Sequence, residues 1–131
     1  MVNRRGFMQL LGLAPLAATS RPSRVSRRPR KSLLIQESPL AGFQFHEGER
    51  LWGQLREGQG VDLVREPDNP YDERAVRVDW EGHKLGYLPR DENHAVAQML
   101  DRRQGVRAEI RGLRESRDPW ERVGLTVSLI S

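Results

Sequence analysis

The residues best suited to chemistry lie together in the short segment 67–72, whose sequence is PDNPYD. Its two prolines fix the backbone and bar strand pairing, and the side chains of Asp68, Asn69 and Asp72 can hydrogen-bond nearby backbone amides. These properties fit an elaborate loop between two strands. Tyr71, however, is a large ring in a polar loop, where an aromatic side chain can stack on a ligand beside hydrogen-bonding carboxylates. The residues alone leave both interpretations open.

Other chemistries have weaker support in the sequence. The three histidines, His46, His83 and His94, are far apart and lack the spacing of a metal-binding helix motif. The chain has no cysteine, which excludes disulfides, thiolate metal sites and thiol nucleophiles. The adjacent acids Asp91 and Glu92 are more typical of a helix start than of an acid–base pair. The sequence therefore predicts no metal, no cofactor and no catalytic residue.

The charge of the chain is divided between a basic start and a mildly acidic remainder. The 131 residues carry 22 Lys and Arg against 18 Asp and Glu, a formal net charge of +4. Eight basic residues precede Glu37, the first acidic one, so the remainder holds 14 basic and 18 acidic residues, a balance of −4. The overall charge is therefore not by itself an indication that the folded part binds nucleic acid.

The basic start has the pattern of an export signal. Residues 1–18 combine the charged pair Arg4-Arg5 with a modestly apolar run that ends in small residues. Because Phe7 follows the pair closely, the segment resembles a twin-arginine signal and predicts export to the periplasm. A cytoplasmic protein that keeps this start is the alternative. The apolar run is too short for a membrane helix, which needs about 20 residues, so no stable membrane span is predicted.

Two further segments follow the predicted signal. Residues 19–32 are rich in Arg, Ser and Pro and lack apolar residues that could form a core, which predicts a disordered linker. This linker is either a basic arm that attracts phosphate or anionic lipid or a plain solvated spacer. Residues 33–131 carry strand and helix patterns and form the predicted folded domain.

The folded domain consists mainly of strand patterns joined by turns. The strand Ala75–Trp80 alternates apolar with charged residues and is linked by Glu81-Gly82, a two-residue turn, to a returning strand. The strand candidates are 33–35, 61–65, 75–80, 83–88, 106–113 and 123–130, and the alternating aromatics of 42–46 continue the first. Since turns rather than helices join consecutive strands, the sheet is predicted to be mainly antiparallel.

One helix and one helical turn accompany these strands. An apolar stripe that includes Val96 and Leu100 predicts a helix over about residues 90–103. A short helical turn is predicted over about residues 49–56. The fold class is therefore mainly β (α+β), a small OB-like or SH3-like antiparallel barrel of five or six strands, closed or nearly closed to remove sheet edges.

At this point the sequence resembles a known family. The runs PLAGFQFHEGERLW (39–52), REPDNPYDERAVRV (65–78) and GHKLGYLPRDENHAVAQML (82–100) are similar to the HIRAN domain. The similarity covers about residues 33–113. HIRAN domains are modified OB-like barrels, found at the amino end of eukaryotic fork-remodelling translocases and as stand-alone bacterial proteins. The resemblance implies a module that captures the 3′ end of single-stranded DNA.

The resemblance also implies roles for the loop residues. Tyr71 matches the aromatic residue that stacks on a base, and Asp72 matches the carboxylate that accepts a hydrogen bond from the terminal 3′-hydroxyl. Asn69 matches a polar contact to the base or the backbone.

Further implied roles lie outside the loop. Phe45 falls where a second stacking tyrosine is expected, so the π-face is kept and the hydroxyl is lost. Tyr87 and Arg90 match an aromatic or histidine and a basic residue near the phosphates. Gln44 stands where the family pattern has an arginine.

Two functions are consistent with these observations. One is a non-enzymatic HIRAN-type binding module for single-stranded DNA with a 3′-hydroxyl end. The alternative is an exported interaction domain whose loop groove binds a glycan, a peptide or another non-nucleic ligand. The ATPase activity of relatives lies on a separate motor domain, which a 131-residue chain is too short to contain.

Overall fold

The computed structural model describes residues 31–130. The predicted export signal and nearly all of the predicted linker lie outside these residues, so export and location stay predictions. Within the described range, no helix is both long and apolar enough to cross a membrane.

Antiparallel strands form the frame of the domain. The six strands are β1 Ser32–Pro39, β2 Gly60–Glu66, β3 Ala75–Trp80, β4 His83–Tyr87, β5 Val106–Leu113 and β6 Val123–Ile130. The α-helices are α1 Gly48–Leu51 and α2 His94–Asp101. Single 3₁₀ turns span Phe43–Phe45, Trp52–Gln54, Arg90–Glu92 and Pro119–Glu121. The strands match the predicted set, and β1 begins one residue before the predicted start of the domain.

The strands form one sheet in the order β1-β6-β5-β2-β3-β4. The start of β2 pairs with β5, and the rest of that strand pairs with β3. One strand therefore serves both halves of the sheet, which bends it around a common core. At the β3–β4 turn, Glu81 and Gly82 both have positive φ, 47° and 83°, as expected for a two-residue hairpin whose twist matches its strands.

A single bridge brings the two ends of the sheet together. The backbone N–H of Ala41 donates to the carbonyl of Tyr87 at 2.8 Å, and the N–H of Tyr87 donates back at 2.9 Å. Glycine at position 86 permits this approach, because a Cβ there would lie 2.3 Å from the carbonyl oxygen of Ala41. The predicted mainly antiparallel, nearly closed barrel is thus confirmed, although within residues 31–130 no continuous strand pair closes it.

The core lies inside this curved sheet. Its fully buried side chains come from the strands, from α2 and from the segment 40–55 that crosses one end of the barrel. The largest of them are Leu40, Phe43, Leu55, Val76, Val78, Leu85, Val96, Ile110, Leu125 and Val127.

The helical segments correct the expectation in two places and confirm it in a third. The alternating aromatics of 42–46 are wrong as strand, because Gly42 is left-handed and the next three residues form a 3₁₀ turn. The helix predicted over 90–103 is shorter: Arg90–Glu92 is a 3₁₀ turn after Pro89, and only His94–Asp101 is α-helical. The turn predicted over 49–56 is found as Gly48–Leu51 followed by a 3₁₀ turn.

Candidate functional site

The loop between β2 and β3 is shaped by the side chain of Asn69. Its Oδ1 accepts hydrogen bonds from the backbone N–H groups of Tyr71 at 2.8 Å and Asp72 at 3.2 Å. Its Nδ2 donates to Glu66 Oε1 at 3.1 Å. Asparagine suits this position because its short side chain reaches amides a few residues ahead. Asn69 thus holds the loop from within, and its contact with a ligand stays a prediction.

The carboxylate of Asp72 is oriented from two sides. Its Oδ1 accepts from the backbone N–H of Arg74 at 2.9 Å, and its Oδ2 accepts from Asn93 Nδ2 at 2.7 Å. Asn93 is completely buried at the start of α2, so its amide is fixed by packing. An ionised carboxylate offers about four acceptor positions. Asp72 can therefore accept a further hydrogen bond from a ligand hydroxyl.

Two large rings near this loop are left in solvent. Tyr71 is 81% exposed and Phe45 is 76% exposed, more than any other large hydrophobic side chain of the described residues. Because large rings normally bury most of their surface, rings this exposed offer open faces for stacking. The predicted stacking residues are therefore placed where a ligand could reach them.

Phe45 is held outward by the turn that carries it. Gly42 begins the turn with φ 76°, a conformation that glycine adopts without steric cost. The N–H of Phe45 donates to the carbonyl of Gly42 at 3.0 Å. Successive side chains of a 3₁₀ turn are about 120° apart, so Phe43 enters the core while Phe45 faces solvent.

Tyr87 is a supporting ring with several contacts of its own. Its hydroxyl donates to Glu66 Oε1 at 2.7 Å, and the His46 ring meets it edge to face with centroids 5.9 Å apart. Lys84 Nζ lies 4.7 Å from the centroid of the Tyr87 ring. These contacts place a cation on the ring, and the position of Tyr87 near phosphates stays a prediction.

Arg90 lies at the other side of the loop, in the 3₁₀ turn before α2. Its side chain is exposed and forms no ion pair or hydrogen bond with another described residue. A free guanidinium at a groove can receive a phosphate through two parallel hydrogen bonds.

The six predicted residues line adjoining clefts. The first has a volume of about 240 Å³ and is lined by Ala41, Asn69, Tyr71, Asp72, Ala75, Tyr87, Leu88 and Arg90. Phe45 lines the second, of about 820 Å³, which shares Asn69, Tyr71 and Tyr87 with the first. We refer to the two clefts together as the groove. Folding therefore brings the six predicted binding residues to adjoining clefts.

The groove depends on two residues that the sequence did not single out. Glu66 accepts from Tyr87 and Asn69 and also pairs with Arg77 at 2.9 Å. Arg65 donates to the Asp101 carboxylate at 2.9 Å and to the carbonyls of residues 73 and 75. Arg65 and Glu66 directly precede the loop, and their partners lie in α2, β3 and β4 and near the end of the loop. These two residues therefore fasten the loop to those three elements. Their adjacency to the PDNPYD segment was the available signal.

The described residues contain no cluster of three or more His, Asp or Glu side chains that could hold a metal ion. Several polar side chains of the groove, those of Glu66, Asn69, Asp72 and Tyr87, are instead bonded to one another, to neighbouring side chains or to the backbone. The arrangement is suited to recognition of a ligand that combines rings, hydroxyls and anionic groups.

Comparison with known proteins places this site in a family. Residues 34–130 match the HIRAN domain. The chain belongs to the HIRAN domain family. A curated relative, a Fanconi-associated nuclease 1 homolog from Oryza sativa subsp. japonica, is 34% identical to this HIRAN domain over 73 residues. That match covers 53% of the chain and 7% of the nuclease homolog, so the chain spans only a small part of that relative.

Solved structures show the same HIRAN fold. A crystal structure of a protein from Lactobacillus plantarum matches with a TM-score of 0.67 and 24% identity, covering 79% of this chain and 99% of that one. The crystal structure of the HIRAN domain of human HLTF matches with a TM-score of 0.60 and 20% identity, covering 76% and 79% of the two chains. The likeness establishes the arrangement of strands on which the groove is built.

Acid is expected to loosen this HIRAN domain through Glu66. Burial alone would raise the pKa of Glu66, but the three hydrogen bonds that it accepts hold it below its ordinary value. A carboxylate with a lowered pKa in the folded state contributes stability above its unfolded pKa and loses it as the pH falls through the lowered value. We expect Glu66→Gln to be less stable near neutrality and to lose less stability on acidification.

Urea unfolding near neutral pH and at about pH 3 measures this difference. Glu57→Gln removes the same charge from an exposed position and serves as the control. A Glu66→Gln variant whose acid sensitivity equals that of the wild type would contradict the assignment.

Proposed function

We propose that this domain is a non-enzymatic module that binds the 3′-hydroxyl end of single-stranded DNA. The observation that carries the proposal is the pair of exposed rings, Phe45 and Tyr71, along one groove with the oriented carboxylate of Asp72. Single strands bind through stacking of bases on aromatic side chains, together with cations along the backbone. The groove offers both kinds of group.

In this proposal, Asp72 makes the domain selective for strands that end in a 3′-hydroxyl. A terminal 3′-hydroxyl can donate a hydrogen bond to the carboxylate, whereas a phosphate at the same position is repelled by its negative charge. Asn93 holds one carboxylate oxygen from a buried position, so the acceptor is preorganised. Arg90, exposed in the lining of the same cleft, is placed to contact a phosphate of the captured strand.

The family relationship supports a nucleic-acid ligand. The relative from Oryza sativa is named as a nuclease, a class of enzyme that acts on nucleic acid. This chain spans a small fraction of that protein, and we propose that its share is substrate binding and not cleavage. The folded part carries more acidic than basic residues, so its overall charge does not attract a nucleic acid. Binding in this proposal therefore rests on the groups of the groove.

The test compares two oligonucleotides that differ only at the 3′ end, one with a hydroxyl and one with a phosphate. We expect the wild type to prefer the hydroxyl, and Asp72→Asn to lose roughly 1.5–3 kcal/mol of that preference, the usual contribution of a charge-assisted hydrogen bond. Fluorescence anisotropy with labelled strands measures both affinities.

Asp62→Asn, on the exposed face of β2, removes one carboxylate away from the groove and is the matched control. It should keep the preference of the wild type. Equal affinity of the wild-type protein for the two ends would refute the proposal.

A further inference from the structure

The second cleft holds a cation that forms no salt bridge with a carboxylate of residues 31–130, although Glu66 of the same cleft lies close enough to attract it. Lys84 lies on β4 and lines this cleft together with Phe45 and Tyr71. Its side chain is half-buried, and no carboxylate among residues 31–130 lies within ion-pair distance of it. Its Nζ rests over the Tyr87 ring at 4.7 Å. The ammonium is thus held in place by a ring and remains available to an anion.

Tyr87 fixes the place of this cation. The hydroxyl of Tyr87 is tied to Glu66 at 2.7 Å, so the ring cannot turn away without losing that bond. Attraction between an ammonium and an aromatic face holds the side chain over the ring. On the opposite side, the backbone N–H of Glu47 donates to the carbonyl of Lys84 at 3.1 Å, which joins the segment after Phe45 to β4.

The other basic groups of this cleft are already neutralised or uncharged. The Arg65 guanidinium is bonded to the Asp101 carboxylate and to two backbone carbonyls. Burial, and then the nearby Lys84 cation, hold the pKa of His46 below its ordinary value, with Glu66 opposing in part. At neutral pH the imidazole is therefore uncharged. Lys84 is therefore the cation of this cleft that no salt bridge engages.

We propose that Lys84 receives the phosphate that joins the two nucleotides whose bases stack on Phe45 and Tyr71. The inference rests on the proposed function. A strand whose bases cover both rings must carry its backbone through the cleft that the rings share, and Lys84 lines that cleft. Lysine binds phosphate as a compact point charge and needs no bidentate geometry. It also compensates for Gln44, a neutral residue where the family pattern has an arginine.

Salt dependence separates a phosphate contact from a structural role. Each phosphate contact of a single strand contributes about 0.7 to the slope of log affinity against log salt. We expect Lys84→Gln to reduce the magnitude of this slope by about that amount for a 3′-hydroxyl deoxythymidine oligonucleotide. Lys84→Arg should restore it. Arg107→Gln, an exposed basic residue of β5 outside the groove, should leave the slope close to that of the wild type.

An oligonucleotide with a neutral methylphosphonate at its last internucleotide linkage completes the test. It should bind the wild type more weakly than the unmodified strand, and Lys84→Gln should bind both strands equally. Two results would overturn this inference and leave the proposed function standing. One is a Lys84→Gln variant whose salt slope equals that of the wild type. The other is a variant that loses the same factor of affinity, relative to the wild type, for the unmodified and the methylphosphonate strand. A wild-type protein that binds neither strand would overturn both.

Discussion

Alanine at position 71 is expected to weaken binding of a single-stranded 3′-hydroxyl oligonucleotide about fivefold to a hundredfold. Stacking of one base on an aromatic side chain contributes roughly 1–3 kcal/mol, and Tyr71 presents most of its ring to solvent. The side chain is hardly packed against the domain, so its removal should leave the unfolding free energy nearly unchanged. Anisotropy titration and urea unfolding of the same sample measure the two quantities.

Two further variants make this expectation specific. Tyr71→Phe keeps the ring and should retain most of the affinity. Trp120→Ala removes another exposed ring, 50% accessible, that lies in a different surface cleft beside β5 and β6. If Tyr71→Ala and Trp120→Ala change the affinity equally, the loop ring is not a stacking platform.

Alanine at position 43 is expected to reduce the free energy of unfolding by about 3–5 kcal/mol, the usual cost of removing a buried phenyl ring. Phe43 is fully buried, and its ring meets Trp52 edge to face with centroids 5.8 Å apart. The guanidinium of Arg122 lies 5.0 Å from the same ring. Gly48 packs so closely that a Cβ there would lie 2.1 Å from Phe43, so neighbours cannot easily fill the cavity.

This loss is large because small domains are stable by only about 5–15 kcal/mol. Phe43→Ala should also weaken ligand binding, since the same 3₁₀ turn presents Phe45. Gln44→Ala changes the exposed residue between them and should shift stability by less than about 0.5 kcal/mol. Urea denaturation followed by tryptophan fluorescence provides the comparison, and equal midpoints for the two variants would show that Phe43 does not anchor the turn.

The strands were predictable because their patterns are local. The alternation in Ala75–Trp80 and the Glu81-Gly82 turn specify a hairpin without reference to the rest of the chain. The segment 42–46 shows the opposite case. Its alternating aromatics imitate a strand, yet the left-handed Gly42 and the deep pocket for Phe43 decide its conformation. That pocket includes Arg122, which lies far along the chain from Phe43 and which no local pattern reveals.

The residues of the candidate site were easier to predict than the hydrogen bonds that connect them. The spacing of Asn69, Tyr71 and Asp72 identifies the loop, and the family pattern identifies its partners. Asn93 does not stand out in the sequence, because its partner Asp72 is 21 residues away. The role of Glu66 likewise depends on the hydrogen bond that it accepts from Tyr87, on another strand. Hydrogen bonds between distant residues depend on the completed barrel.

The pairing of β1 with β6 sets an order of events during synthesis. These are the first and last strands of the described domain, and contacts between such distant segments form late in folding. The turn that presents Phe45 follows β1, and the backbone N–H of Leu40, which lies between them, donates to the carbonyl of Val123, the first residue of β6. No residue of β6 lines the groove. A nascent chain that ends before Val123 would carry every residue that lines the groove and would still lack the strand with which β1 pairs.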